Sequence, residues 1–152
     1  MAVKQVLIKG NPIAKEAVGS EAITPGHLLE FLGGSAATAS QLKKHATARG
    51  NCQPAMFANI QDYIGGGLSK AYASGDQVMY FVPRKGDEIN ALLKASENAG
   101  VGSYLESAGD GTLQVHTPAS AGAAPVQKES LVGRALDSSN VGTVARIRVE
   151  VL

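Results

Sequence analysis

The chain has 152 residues, 14 basic and 13 acidic side chains for a net charge of +1, one cysteine, 18 glycines and no tryptophan. That length allows one domain with a small appendage. The near-neutral balance argues against a strongly basic nucleic-acid binder, and the lone Cys52 excludes an internal disulfide framework and any multi-cysteine zinc site. The opening MAVKQVLIKG lacks the apolar core of a signal peptide, and no apolar run approaches about 18 residues, so a soluble protein made and used in the cytosol is expected, with no membrane partner.

In chain order, residues 1–21 are an N-terminal arm or first strand, and residues 22–152 a single β-rich domain. The apolar-rich stretch Ala2 to Ile8 (AVKQVLI) has two readings. As an arm it would add a strand to a neighbour's sheet edge, with Ala2, Val3, Val6, Leu7 and Ile8 as contact residues. Otherwise it is the first strand of the barrel. Pro25-Gly26 is a turn dipeptide, and His27 to Leu32 suits a strand or a short helical turn. Gly33 to Ser40 is small, polar and irregular, and Gly65 to Gly67 is a flexible joint. Gln41 to Ala48 and Pro54 to Ile60 are strand candidates.

Gln77 to Val82 (QVMYFV) is a dense apolar run, followed by Glu88 to Leu93. The intervening Pro83-Arg84-Lys85-Gly86-Asp87 supplies a fixed φ and a positive φ, so a hairpin is expected. Leu92, Leu93 and Ala95 also fit helical spacing between Ile89 and Asn98. Tyr104 to Val115 reads as two short strands joined through Ser107-Ala108-Gly109-Asp110-Gly111, and Thr117 to Pro125 as an exposed low-complexity loop. Glu129 to Asp137 suits a bent strand or one to two helical turns, and its Gly133 favours a bend or bulge. The C-terminus is the clearest strand. Arg146, Arg148 and Glu150 alternate with Ile147, Val149 and Val151, giving one wet and one buried face. Eight to ten short strands with no regular repeat predict a mainly β fold with little helix, a small barrel or sandwich.

The sequence carries no recognisable catalytic motif. No G-x-S-x-G elbow is present, and Gly65-Gly66-Gly67 lacks the rest of a phosphate loop, so it reads as a surface turn. His27, His45 and His116 lie too far apart for a local metal motif and read as structural or surface residues. Cys52 reads as inert packing unless a histidine approaches it. Asp76, Asp87 and Asp110 each follow a glycine, as turn geometry explains, and the alternating oxygen ligands of a calcium loop are absent. No metal or other cofactor is expected. Arg146 and Arg148 read as a solvated strand face. The sharper alternative pairs them with acidic residues on a partner.

The ordered series Ala22-Ile-Thr-Pro-Gly-His-Leu-Leu-Glu30, Ala71-Tyr-Ala-Ser-Gly-Asp-Gln-Val78, Ser103-Tyr-Leu-Glu-Ser-Ala-Gly-Asp-Gly-Thr-Leu113, Val132-Gly-Arg-Ala-Leu136 and Val144-Ala-Arg-Ile-Arg-Val149 resembles capsid decoration (cement) proteins of tailed bacteriophages. The resemblance runs from about Ala22 to the end. It implies a β-barrel or β-tulip with projecting loops and an arm, which sits on the outer surface of the virion shell, binds the major capsid protein and stabilises the head without chemistry. It also implies a homo-oligomer, a homotrimer ahead of a homodimer, assembled in the host cytoplasm and without direct nucleic-acid contact. Many weak contacts repeated on a lattice would supply avidity. Two other classes remain: a non-catalytic β-barrel binding or co-chaperonin-like module, and a small enzyme using Cys52 with a histidine.

Overall fold

The structure, a computed structural model, describes residues 5–33, 40–61, 65–117 and 128–152. Its strands in chain order are β1 (Leu7–Lys9), β2 (Ile13–Gly19), β3 (Leu28–Phe31), β4 (Gln41–Lys44), β5 (Met56–Ala58), β6 (Gln77–Val82), β7 (Glu88–Leu93), β8 (Asn98–Ala99), β9 (Tyr104–Ser107), β10 (Leu113–Val115), β11 (Leu131–Ala135), β12 (Ser139–Asn140) and β13 (Ala145–Val151). A short 3-10 turn covers Lys128–Ser130. The fold is mainly β, as the sequence predicts. The two irregular stretches around residues 34–39 and 118–125 lie outside the described residues.

The strands close into two rings. One barrel runs β2-β4-β3-β5-β6 and back to β2. The other runs β7-β10-β9-β11-β13 and closes through β13 on β7. There β13 occupies the whole of one β7 edge, from Glu150 opposite Glu88 to Ala145 opposite Leu93. The opposite edge is shared, by antiparallel β1 at Ile89 and Glu88 and by parallel β10 at Leu93. Closure pairs β2 with β6 and β13 with β7, strands that would be the free edges of open sheets.

The hairpin expected between β6 and β7 does not form. Both strands exist at the expected positions, but β6 pairs with β2 and β5, and β7 with β1, β10 and β13. Pro83 to Asp87 is the crossing from one barrel to the other. Its turn is held by the Asp87 carboxylate, which accepts the Arg84 N–H at 2.8 Å, while the Gly86 N–H bonds the Val151 carbonyl. The helical alternative over Ile89 to Asn98 is likewise replaced, by β7 and β8.

Period-two alternation explains the density of the apolar runs. Ile23, Leu29, Leu42, Met56, Ala58, Tyr72, Val78 and Tyr80 fill the first barrel. The alternate residues Leu28, Phe57 and Phe81 of β3, β5 and β6 point the other way and join the core of the second barrel, with Val6, Ile89, Leu93, Leu105, Leu113, Ile147 and Val149. Strands buried on both faces read as continuous apolar runs. The Phe57 and Phe81 rings, opposite each other on β5 and β6, stack on the first barrel's side of this seam with centroids 6.3 Å apart.

The β11 ladder confirms the bulge expected at Gly133. Its register against β9 shifts between Leu131 and Gly133. A Cβ at Gly133 would lie 2.5 Å from the Glu150 carbonyl oxygen and closer still to Val149 Cγ1. Gly133→Ala is therefore expected to destabilise the fold by about 2–3 kcal/mol, the usual scale of overpacking. Urea unfolding of the variant measures it. A midpoint equal to wild type would show that the ladder yields.

Candidate interaction surfaces

The two barrels meet at the Thr24–His27 turn. Pro25 and Gly26 occupy its centre, Gly26 takes φ +94°, and the His27 N–H bonds the Thr24 carbonyl at 3.0 Å. This is the geometry that Pro at the second and Gly at the third turn position favour. The second barrel grips the turn. The Leu92 N–H reaches the Gly26 carbonyl, and Arg146 Nη2 donates to the carbonyls of Pro25 (2.9 Å) and Leu68 (2.5 Å). Arg146 is thus an inter-barrel clamp rather than a solvated strand residue, and burial lowers its pKa. Among the described residues, its buried Nη1 and the Oε1 of Gln61 find no hydrogen-bond partner.

His27 caps the same turn. Its Nδ1 accepts the Thr24 N–H at 3.0 Å, which requires the unprotonated nitrogen. Burial, reinforced by the nearby charge of Lys44, pushes its pKa down to about 4.

A buried polar cluster ties the segment after β4 to β9 and β10. His45 Nδ1 lies 2.7 Å from Ser107 Oγ, its Nε2 lies 3.0 Å from the Asn51 carbonyl, and Glu30 Oε2 stands 3.6 Å from that Nε2. Serine, histidine and a carboxylate meet here, as they do in hydrolases. Their bonds are structural in kind. Nε2–H donates to the Asn51 carbonyl, Nδ1 of the neutral ring would accept the Ser107 hydroxyl proton, and Ser107 Oγ accepts the Gly109 N–H at 3.2 Å. Ser107 is fully buried, so no substrate reaches its oxygen in this conformation. Beside it, the buried Glu106 carboxylate meets Arg49 Nε at 3.0 Å, His116 Nδ1 at 2.7 Å and the Gln114 amide at 3.1 Å. Burial of a charge is tolerable when it is paired in this way. Sequence spacing hides the first cluster, because Glu30, His45 and Ser107 lie far apart in the chain; in the second, Glu106, Gln114 and His116 are near neighbours on and beside β9 and β10, and only Arg49 comes from a distant segment.

Cys52 is buried, and its thiol points at the carbonyls of Glu129 and Ser130. Burial pushes its pKa up to about 11, which disfavours the reactive thiolate. Among the described residues no three His, Cys, Asp or Glu side chains converge as metal ligands.

The N-terminal contact candidates divide. Ala2 and Val3 lie outside the described residues. Val6 is fully buried in the second barrel, and Leu7 packs against the same core. Leu7 and Ile8 are half-buried on β7, and the Val6 carbonyl accepts the Asn90 N–H at 2.6 Å. Residues 6–9 therefore belong to this chain's own sheet, and Val6 has no surface to offer a partner. Arg148 makes a two-pronged ion pair with Asp137, at 2.7 and 2.9 Å, whose hydrogen bond holds the Asp137 carboxyl below its usual range. Its acidic partner is thus internal.

Among the described residues, the exposed large apolar side chains are Ile13, Phe31 and Leu32 on the first barrel, Val101, Tyr104, Val141 and Val144 on the second, and Leu152 at the C-terminus. The first group surrounds a strand that the sequence pattern missed. Residues Ile13 to Glu16 of β2 are exposed on both faces, so no alternation betrays them.

No family model matches the chain, and no curated protein does. Among solved structures, the chain is similar to the N base of the head fibre gp8.5 of bacteriophage phi29. That similarity has a TM-score of 0.54 at 15% sequence identity and covers 93% of this chain and 98% of that one.

Proposed function

We propose that this protein is a non-enzymatic structural component of a tailed-phage head, which binds the outer surface of the major capsid protein shell and reinforces it. The fold likeness to a head-fibre base along nearly the whole chain carries this reading. The internal satisfaction of the Ser107–His45 cluster supports a structural over a catalytic role. The protein acts as a homo-oligomer, a trimer ahead of a dimer, so that each subunit reuses one patch on a symmetric lattice. Its contacts involve neither membrane nor nucleic acid.

Heads prepared without this protein provide the test. The purified protein is expected to co-sediment with them, to saturate at a stoichiometry set by lattice symmetry, and to raise their resistance to heat. Absence of binding at saturating concentration overturns the reading.

A further inference from the structure

The two barrels repeat one another. Each has five strands that close in the order first, third, second, fourth, fifth along the chain: β2-β4-β3-β5-β6 and β7-β10-β9-β11-β13. In each, the first and third strands run parallel. Every other pair, the closing one included, runs antiparallel. Single bonds recur too. The Gly26 N–H bonds the Ala58 carbonyl and the Gly102 N–H the Ala135 carbonyl, both at 2.8 Å. Glu21 accepts the Lys44 N–H as Glu97 accepts the Val115 N–H. The sequence keeps few traces of this. Ser20, Glu21, Gly26, Leu29 and Glu30 recur at one constant spacing as Ser96, Glu97, Gly102, Leu105 and Glu106.

This correspondence makes Glu30 and Glu106 equivalent, yet the two acids are neutralised differently. Each has a histidine beside it, His45 at 3.6 Å and His116 at 2.7 Å. On the neighbouring strand Glu30 faces Lys43, whose Nζ lies 2.9 Å from its carboxylate. In the same place Glu106 faces Gln114, which donates an amide N–H at 3.1 Å and carries no charge. Glu106 is nevertheless the deeper of the two, with its side chain 2% exposed against 27% for Glu30. A carboxylate buried to that depth needs a counter-charge. Among the described residues the permanent cation that meets it is Arg49, with Nε 3.0 Å from Oε1. Arg49 belongs to the first barrel, in the segment after β4, and its N–H bonds the Ser107 carbonyl at 2.9 Å.

We propose that Arg49 is a strap between the barrels, a counter-ion that the first barrel supplies to Glu106 in place of the lysine that the second barrel's own sheet lacks. The second barrel keeps its buried acid neutralised only while the first is docked on it. Arg49 is thus a positioning residue for the pair. This coupling belongs to the isolated chain, so its test needs no phage heads.

Arg49→Gln removes the charge and leaves the backbone bond to Ser107 in place. Gln114→Lys puts across from Glu106 the lysine that the first barrel carries at the equivalent position. Thermal melts are followed at pH 8, where histidine is ordinarily neutral and leaves the counter-charge to residues 49 and 114. Arg49→Gln is expected to lower the melting temperature by about 5 °C or more, because breaking a buried ion pair strands the remaining charge. Gln114→Lys is expected to restore at least half of that fall in the Arg49→Gln background. In wild type it brings no gain, since there it sets a second cation against Arg49. Such background dependence is the signature of two residues that serve one partner. An Arg49→Gln protein that melts like wild type overturns the proposal. So does a Gln114→Lys effect no more favourable in the Arg49→Gln background than in wild type. Should Arg49→Gln not fold, the double variant decides: a cooperative melt supports the strap, and its absence overturns it.

Discussion

Deleting residues 1–8 is expected to unfold the protein rather than to free it of an arm. Val6 is fully buried, and Leu7 packs on the same core. Burial of one such side chain contributes about 1.5–3 kcal/mol, and the void left behind adds to the loss. The deletion also strips the Asn90 N–H of its partner, the Val6 carbonyl. An orphaned buried donor costs about 1–3 kcal/mol. Together these reach about 5 kcal/mol, against a typical total stability of about 5–15 kcal/mol. Circular dichroism melts should show either no cooperative transition or a fall of at least about 15 °C. Deleting residues 1–4 alone keeps Val6 and should leave the melt near wild type. If the longer truncation melts like wild type and only loses head binding, β1 is dispensable to the fold and acts as an arm.

Acidification should release a second large effect, through His27. Its pKa falls from the usual 6.5 to about 4, chiefly by burial and then by the charge of Lys44. The folded state thus binds fewer protons than the unfolded chain between those two values, and stability rises with pH across that window. The contribution is complete above about pH 6.5 and is lost as pH falls towards 4, to a total of about 3 kcal/mol. Protonation would also remove the acceptor of the Thr24 N–H and so loosen the turn that Arg146 clamps. Urea unfolding at a series of pH values should show this slope in wild type and lose it in His27→Gln. Nuclear magnetic resonance should place the His27 ring titration near 4. A midpoint near 6.5 would show that the turn admits water and carries no such linkage.

What the sequence by itself determined is local. The alternation of β13, the Pro25-Gly26 turn, the bulge at Gly133 and the mainly β class are legible because side-chain periodicity and turn chemistry act over a few residues. Cys52 reads correctly as packing because a lone thiol has no nearby partner in the chain. Tertiary structure decided everything that depends on who pairs with whom. β6 and β7 are consecutive strands with a turn between them, yet they belong to different barrels. The alternate residues Phe57 and Phe81 of β5 and β6 bury their rings in the second core while these strands pair within the first barrel, a burial across both rings that no local hairpin pattern shows. β2 escaped notice because Ile13 to Glu16 bury neither face. Arg146 reads as a wet strand residue until the Thr24–His27 turn, more than a hundred residues earlier, closes over it. The same long-range closure joins His45 to Ser107 and places Val6 beside Asn90. No local pattern encodes such contacts, because their stabilisation exists only once distant strands have met.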